Sequence, residues 1–352
     1  MPRFSFNSCP WLFLLGLLWL SGACQRSADF FFLRNEGAVM PVQVAGPPDS
    51  RDILILLPGG PAGDGQSYRR VFPFFREQLE PKLRVVYYDQ RGAGNCQGVY
   101  DTSSLHLAQL AEDLDRLVDV LRRENAGARI FLLGYSYGGA LGLTYLLDPN
   151  RQAKITGFIG LSGAYDRQRQ MEYQDQLVDY LLAQWTAAGE LPPLDLLQPD
   201  FHCAEQADPG QCQRDSLQIM AEVTQRFTKI GRLNQFPFTM ASVGRLLGLA
   251  FCSPTNPLTS GRNEVLHGRY FQPEFDQLLL TDRAGALHLP VLLLAGRYDT
   301  NVPFFDAEHL FAQLGTPAEE RQLHFLEQSG HLPMITAPEE VARAILGFVE
   351  NH

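Results

Sequence analysis

Ile130-Phe131-Leu132-Leu133-Gly134-Tyr135-Ser136-Tyr137-Gly138-Gly139 sets a G-x-S-x-G signature between an apolar strand and a helix. Ile130–Leu133 is a continuous apolar run. Gly139–Leu147 has helical spacing and is stopped by Asp148-Pro149. A tight strand-to-helix turn there holds the serine hydroxyl up at the sheet edge, and its crowded backbone calls for glycine on both sides. A serine that merely caps the helix is the structural alternative. The strand, turn and helix context and the further Gly139 weigh against it.

The pattern on either side extends this unit into a layered α/β fold. Phe30–Leu33 and Val39–Val44 read as opening strands around an Asn35-Glu36-Gly37 turn. Ile53–Leu57, Leu83–Tyr88 and Ile155–Leu161 are further apolar strands. Tyr68–Leu79 and Leu105–Leu121 have helical periods, the second with Leu107, Leu110, Leu114, Leu117 and Leu121 on one face. The alternation breaks at Tyr165, gives helical patterns at Met171–Trp185, Leu217–Ile230 and Met240–Leu249, and resumes after His288. Strand Val291–Ala295, helix Phe305–Leu314, strand Gln322–Leu326 and helix Pro338–Val349 complete it. Continuous aliphatic strands alternating with helices imply a mostly parallel sheet covered on both faces, with residues 165–288 as a helical insertion. Right-handed crossovers bring the carboxyl ends of the strands to one edge.

A neutral serine is a poor nucleophile and needs a base oriented by a carboxylate. Asp299 follows strand Val291–Ala295, and His331 follows strand Gln322–Leu326 in Ser329-Gly330-His331. The order Ser136, Asp299, His331 is that of hydrolases with this turn, and all three stand just beyond strand ends on one edge. Asp166, shortly after Ile155–Leu161, is the rival acid. His309 and His324 fall inside a helix and a strand pattern and read as structural. Acyl transfer also builds an oxyanion that needs preorganised N–H donors. Tyr137 supplies one, and Gly60, in the Pro58-Gly59-Gly60-Pro61 turn after Ile53–Leu57, supplies the other.

These stretches resemble the α/β-hydrolase superfamily, and within it the proline iminopeptidase family of serine aminopeptidases. The resemblance rests on Pro58-Gly59-Gly60-Pro61-Ala62-Gly63, Asp89-Gln90-Arg91-Gly92-Ala93-Gly94, Gly134–Gly139, Gly296-Arg297-Tyr298-Asp299 and Gly330-His331. It implies an α/β-hydrolase fold with an inserted helical cap and cleavage of short peptides at their N-terminus. The sequence departs from that family at Pro58, where a His is usual, at Cys96, where a Ser is usual, and at Tyr137, where a Trp is common. The family's Trp- and Arg-rich cap motif has no clear copy here. A carboxylate that pairs with a substrate ammonium is expected near the site, with Glu172 and Asp175 as candidates. Hydrolysis of a carboxylic ester is the alternative activity. A non-catalytic, envelope-anchored binding protein that keeps the fold is the alternative from another class.

The N-terminus reads as processing rather than fold. Arg3 precedes the apolar run Trp11–Leu20 and the small residues Ser21-Gly22-Ala23. That run is about half the roughly 20 residues a membrane span needs. Residues 1–23 are expected to be a signal peptide, directing the chain to the periplasm, to the outside or to a membrane anchor. Leu20-Ser21-Gly22-Ala23-Cys24 is similar to a lipoprotein signal, which makes Cys24 a candidate lipidation site and membrane attachment. The expected division is then residues 24–164 and 289–352 as the two parts of the core, with 165–288 as the cap. Of the six cysteines, Cys203 and Cys212 flank a Pro209-Gly210 turn and are the first expected disulfide. Cys96 and Cys252 are left as a second pair, and buried free thiols are the alternative reading for all four.

A formal charge of −10 without basic clusters argues against a nucleic-acid partner. With no C-x-x-C pair, no metal site is indicated, and no organic cofactor is called for. A small peptide or ester is the expected partner, and the oligomeric state stays open.

Overall fold

The computed structural model describes residues 28–61, 63–187 and 265–352. Its centre is one mixed sheet. Strands β1 (Ala28–Asn35) and β2 (Ala38–Ala45) form an antiparallel hairpin, turned at Glu36 and Gly37 with φ of 41° and 78°. Strand β2 also pairs antiparallel with β4 (Arg84–Tyr88) and with the two-residue β5 (Gln97–Gly98). The rest is parallel: β4 with β3 (Asp52–Leu57), β3 with β6 (Arg129–Tyr135), β6 with β7 (Gly157–Leu161), β7 with β8 (Val291–Gly296) and β8 with β9 (Arg321–Leu326). The spatial order is β1-β2-β4-β3-β6-β7-β8-β9. From β3 the chain crosses to β4 on one side and then to β6 on the other, which opens a crevice at the carboxyl ends of these strands.

Strands β3, β6, β7 and β8 are buried almost throughout, which is why they read as unbroken apolar runs. Helices α1 (Gly65–Val71), α2 (Leu107–Glu124) and α3 (Tyr137–Leu146) follow β3, β4 and β6, with β5 between β4 and α2. One face of the sheet packs on α2 and α3, with Leu107, Leu110, Leu114, Leu117 and Leu121 all in that core. The other face buries Phe72, Phe75 and Leu79 with Val341, Ile345 and Phe348 of the last helix, Pro338–Asn351.

Local chemistry accounts for the element boundaries. The expected helix Tyr68–Leu79 is instead α1 and a separate π turn at Phe75–Leu79. Pro73 is the cause: it drives Phe72 out of the helical region, to φ −104° and ψ 101°. Helix α2 starts at Leu107 rather than Leu105 because His106 caps it, its Nδ1 accepting the Gln109 N–H at 3.2 Å.

The D-Q-R-G loop after β4 ties the hairpin to α2. Arg91 is wholly buried and makes a bidentate pair with Asp113, 2.8 Å from Nε and 2.7 Å from Nη2. It also donates to the carbonyls of Asn35 and Glu36.

Strands β7 and β8 are neighbours although residues 162–290 lie between them in the chain. The described first part of that segment leads through a 3-10 turn (Arg167–Arg169) into helix α4 (Gln170–Ala187), and its described last part holds short helical turns from His267 to Ala286. The expected helices Leu217–Ile230 and Met240–Leu249 lie outside the described residues. So do Cys24, Cys203, Cys212 and Cys252 and the expected signal segment. Cys96 has no disulfide partner among the described residues, and the expected Cys96–Cys252 pairing involves a residue outside them. The Cys96 sulfur sits in the tight turn after the D-Q-R-G loop, 3.7 Å from the Gln97 carbonyl, and burial pushes its pKa up.

Candidate active site

Ser136 stands between the last residue of β6 and the first of α3, with φ 52° and ψ −120°. A side chain in that region is strained and persists only where its surroundings hold it. Here the Ser136 N–H donates to the Leu161 carbonyl at 3.2 Å, and the Ser136 carbonyl accepts from Gly139 and Ala164 at 2.9 Å each. The flanking glycines are required by contact. A Cβ at Gly138 would lie 1.9 Å from the Leu57 carbonyl oxygen, and one at Gly134 would lie 2.6 Å from that of Gly138.

The base and acid arrive on neighbouring loops. The loop after β8 and the loop after β9 are laced together by Arg297 N–H to Leu326 O at 3.2 Å and Tyr298 N–H to Ser329 O at 3.0 Å. A Cβ at Gly296 would meet the Gly330 carbonyl at 2.5 Å, so the two loops touch through backbone. This packing brings His331 Nδ1 to 2.9 and 3.0 Å from the two Asp299 oxygens. His331 Nε2 then lies 3.2 Å from Ser136 Oγ. Asp299 is fully buried, and its Oδ1 also accepts the N–H groups of Asn301 (3.0 Å) and Val302 (2.9 Å). The carboxylate is therefore satisfied on both sides. Ser136 Oγ, His331 and Asp299 form one hydrogen-bonded line.

Asp166, the rival acid, does a different job. Its carboxylate accepts from the N–H groups of Leu280 and Thr281, from the Thr281 hydroxyl and from Arg169. It joins the two ends of the inserted segment rather than touching His331.

Tyr137 opens α3, so its N–H has no acceptor within the helix. Gly60 follows β3 with φ 133°, a conformation that favours glycine. Both expected oxyanion donors therefore stand at the carboxyl ends of adjacent strands, β6 and β3. Glu172 and Asp175 are both in α4. Glu172 is exposed and engaged along its own helix by Gln176 at 3.2 Å, and Asp175 is half-buried. Neither forms part of the Ser136–His331–Asp299 line.

Asp89 of the D-Q-R-G loop accepts from Gln66 N–H at 3.2 Å and Asn95 N–H at 2.9 Å. Burial, and then the neighbouring Asp64, push its carboxyl well above the usual range. It braces the start of α1, directly after the Gly60 turn. Among the described residues, no group of three or more His, Cys, Asp or Glu side chains could hold a metal ion.

The family model described as "Alpha/beta hydrolase family" matches residues 54–344, from β3 to the last helix. The chain belongs to the alpha/beta hydrolase family. It is similar to the "Putative carbamate hydrolase RutD" of Variovorax paradoxus, with 26% identity over 314 residues that cover 87% of this chain and 94% of that protein. It is also 35% identical to the proline iminopeptidase of Saccharolobus solfataricus over 111 residues, 31% of this chain and 33% of that one. Among solved structures, the proline iminopeptidase-related protein of Thermus thermophilus matches with a TM-score of 0.62. It has 20% identity and covers 92% of this chain and 97% of its own. The structural match supports the fold, and the local sequence match supports the resemblance to proline iminopeptidases.

Sequence reasoning missed the role of two tyrosines at this site. Tyr135 donates its hydroxyl to the His331 carbonyl at 2.8 Å, and Tyr68 accepts the Gly59 N–H at 3.0 Å. Tyr135 could have been found from its place between Gly134 and Ser136. Nothing in the sequence marks Tyr68.

Proposed function

We propose that this protein is a serine hydrolase that works through an acyl-enzyme. The observation that carries the reading is the hydrogen-bonded line Ser136 Oγ, His331 Nε2, His331 Nδ1, Asp299, at 3.2 and 2.9 Å. Ser136 Oγ attacks the substrate carbonyl while His331 Nε2 takes the hydroxyl proton. The Asp299 carboxylate holds the other ring nitrogen in its N–H form and stabilises the imidazolium that develops. The N–H groups of Gly60 and Tyr137 receive the oxyanion. His331 returns the proton to the leaving group as the carbonyl–leaving-group bond breaks. Water then repeats the sequence on the acyl-Ser136 ester, releasing the acid and restoring the serine.

The substrate we propose is a short peptide cut at its N-terminus. The local identity to proline iminopeptidases supports this, together with the glycine turn and the D-Q-R-G loop. The departures at Pro58, Cys96 and Tyr137 leave N-terminal proline as one residue among those to be tried. A second reading, hydrolysis of an ester-like bond, is favoured by the near full-length relative, which is named for a carbamate. Glu172 also favours it, because its exposed carboxylate is turned to Gln176. On either reading, the N-terminal segment is proposed to export the chain, with Cys24 as its lipid attachment.

Kinetics on aminoacyl- and prolyl-anilides beside a p-nitrophenyl ester separate the two. The peptidase reading expects anilide turnover that is abolished by blocking the substrate amine. Turnover of the ester alone, indifferent to N-blocking, overturns it.

A further inference from the structure

We infer that Tyr135 and Tyr68 form an aromatic bracket that sets the base and the oxyanion turn against the nucleophile, which makes both positioning residues for the hydrolysis. The inference rests on the serine-hydrolase reading above.

Three contacts define the bracket. Tyr135 is the residue before Ser136, and its hydroxyl donates to the main-chain carbonyl of His331 at 2.8 Å. Its ring lies 5.3 Å from the imidazole, tilted by 38°. The rings of Tyr68 and Tyr135 meet in a T-shaped, edge-to-face contact, with centroids 5.8 Å apart. The Tyr68 hydroxyl in turn accepts the N–H of Gly59, the neighbour of Gly60. The turn is seated directly on both rings. A Cβ at Gly59 would lie 2.8 Å from Tyr68 Oη and 3.0 Å from the Tyr135 ring. One continuous side-chain path therefore runs from the base, past the nucleophile, to the oxyanion turn.

The path suits positioning because a shift of the base by about 1 Å can cost on the order of 100-fold in rate. His331 sits on a loop, and its side chain hydrogen-bonds with Asp299 and Ser136. The Tyr135 bond fixes its main chain, from the strand that carries the nucleophile. Burial raises the pKa of both phenols well above the ordinary value, so both remain neutral hydroxyls across the working range and Tyr135 stays a donor.

The test uses the full chain, Tyr135→Phe and Tyr68→Phe, with p-nitrophenyl acetate as the probe and active sites titrated by a fluorophosphonate. Normalising to titrated sites removes any loss of folded protein. The expected result is a kcat about tenfold lower for each variant, with KM within about twofold of the parent. A lower thermal midpoint with kcat per titrated site unchanged would show a merely structural role and overturn the bracket. Tyr68→Phe leaves the Tyr135–His331 bond in place, so it tests the oxyanion half even if Tyr135→Phe does not fold. If the parent chain neither labels at Ser136 nor turns over the ester, the serine-hydrolase reading fails. If the parent labels and both variants match it, only the bracket fails.

Discussion

Asp299 meets His331 through both carboxylate oxygens, at 2.9 and 3.0 Å from Nδ1, while Asn301 and Val302 hold the same carboxylate from behind. The acid is therefore fixed by its own loop before it fixes the base. An amide in its place keeps the shape but favours the wrong imidazole tautomer. Asp299→Asn should fold like the parent and lose about 10⁴-fold in kcat on whichever substrate the parent turns over. Stopped assays at matched active-site concentration check this. A loss under tenfold would show that another carboxylate orients His331.

Gly138 is held against Leu57. The 1.9 Å that a Cβ would leave to the Leu57 carbonyl cannot be relieved by a rotamer change, because both partners are backbone. Gly138→Ala should therefore displace the start of α3 and abolish fluorophosphonate labelling. A variant that labels at the parent's rate would show that the turn has more room than its geometry allows.

Arg91 and Asp113 pair with 0% and 1% of their side chains exposed. Breaking a buried pair strands the surviving charge, at about 3–5 kcal/mol. Asp113→Asn should lower unfolding free energy by that order in chemical denaturation, while kcat per titrated site stays near the parent value. A change below about 1 kcal/mol would mean that the Asn35 and Glu36 carbonyls and the Ser104 hydroxyl satisfy the guanidinium without the Asp113 charge.

Asp306 gives the fold a pH dependence. It is fully buried, accepts the Tyr165 N–H at 2.9 Å, and burial raises its pKa to about 8. The N–H groups of Tyr165 and Asp166 and the charge of Arg167 oppose that rise, and the Asp166 carboxylate adds to it. The unfolded carboxyl ionises near pH 4. Between about 4 and 8 the native state then holds a proton that the unfolded state has lost, so this group's contribution to stability falls as pH rises. Asp306→Asn should flatten the decline in thermal midpoint across that window relative to the parent. Parallel curves for the two proteins would contradict the assignment.

The sequence was most legible where its chemistry is local. The G-x-S-x-G turn could be placed because an apolar run, two flanking glycines and a helix abut within a few residues. Asp299 and His331 could be named because each follows a strand that reads as one. The helix drawn across Tyr68–Leu79 failed at Pro73, whose effect on Phe72 outweighed the apolar period. The two tyrosines escaped because their partners are main-chain groups of Gly59 and His331, and a carbonyl or an N–H leaves no trace in the residue pattern. Asp166 stood where an acid could serve His331. Only the three-dimensional meeting with Leu280 and Thr281 shows that it is committed elsewhere.

The central claim is that Ser136 is a nucleophile activated by His331. Its most direct test is reaction of the full chain with a fluorophosphonate, followed by peptide mass mapping, beside Ser136→Ala and His331→Ala. The account predicts a single covalent adduct on Ser136, formed rapidly in the parent, absent in Ser136→Ala and slowed by orders of magnitude in His331→Ala. An adduct that forms elsewhere, or labelling of the parent that His331→Ala leaves unchanged, would contradict it.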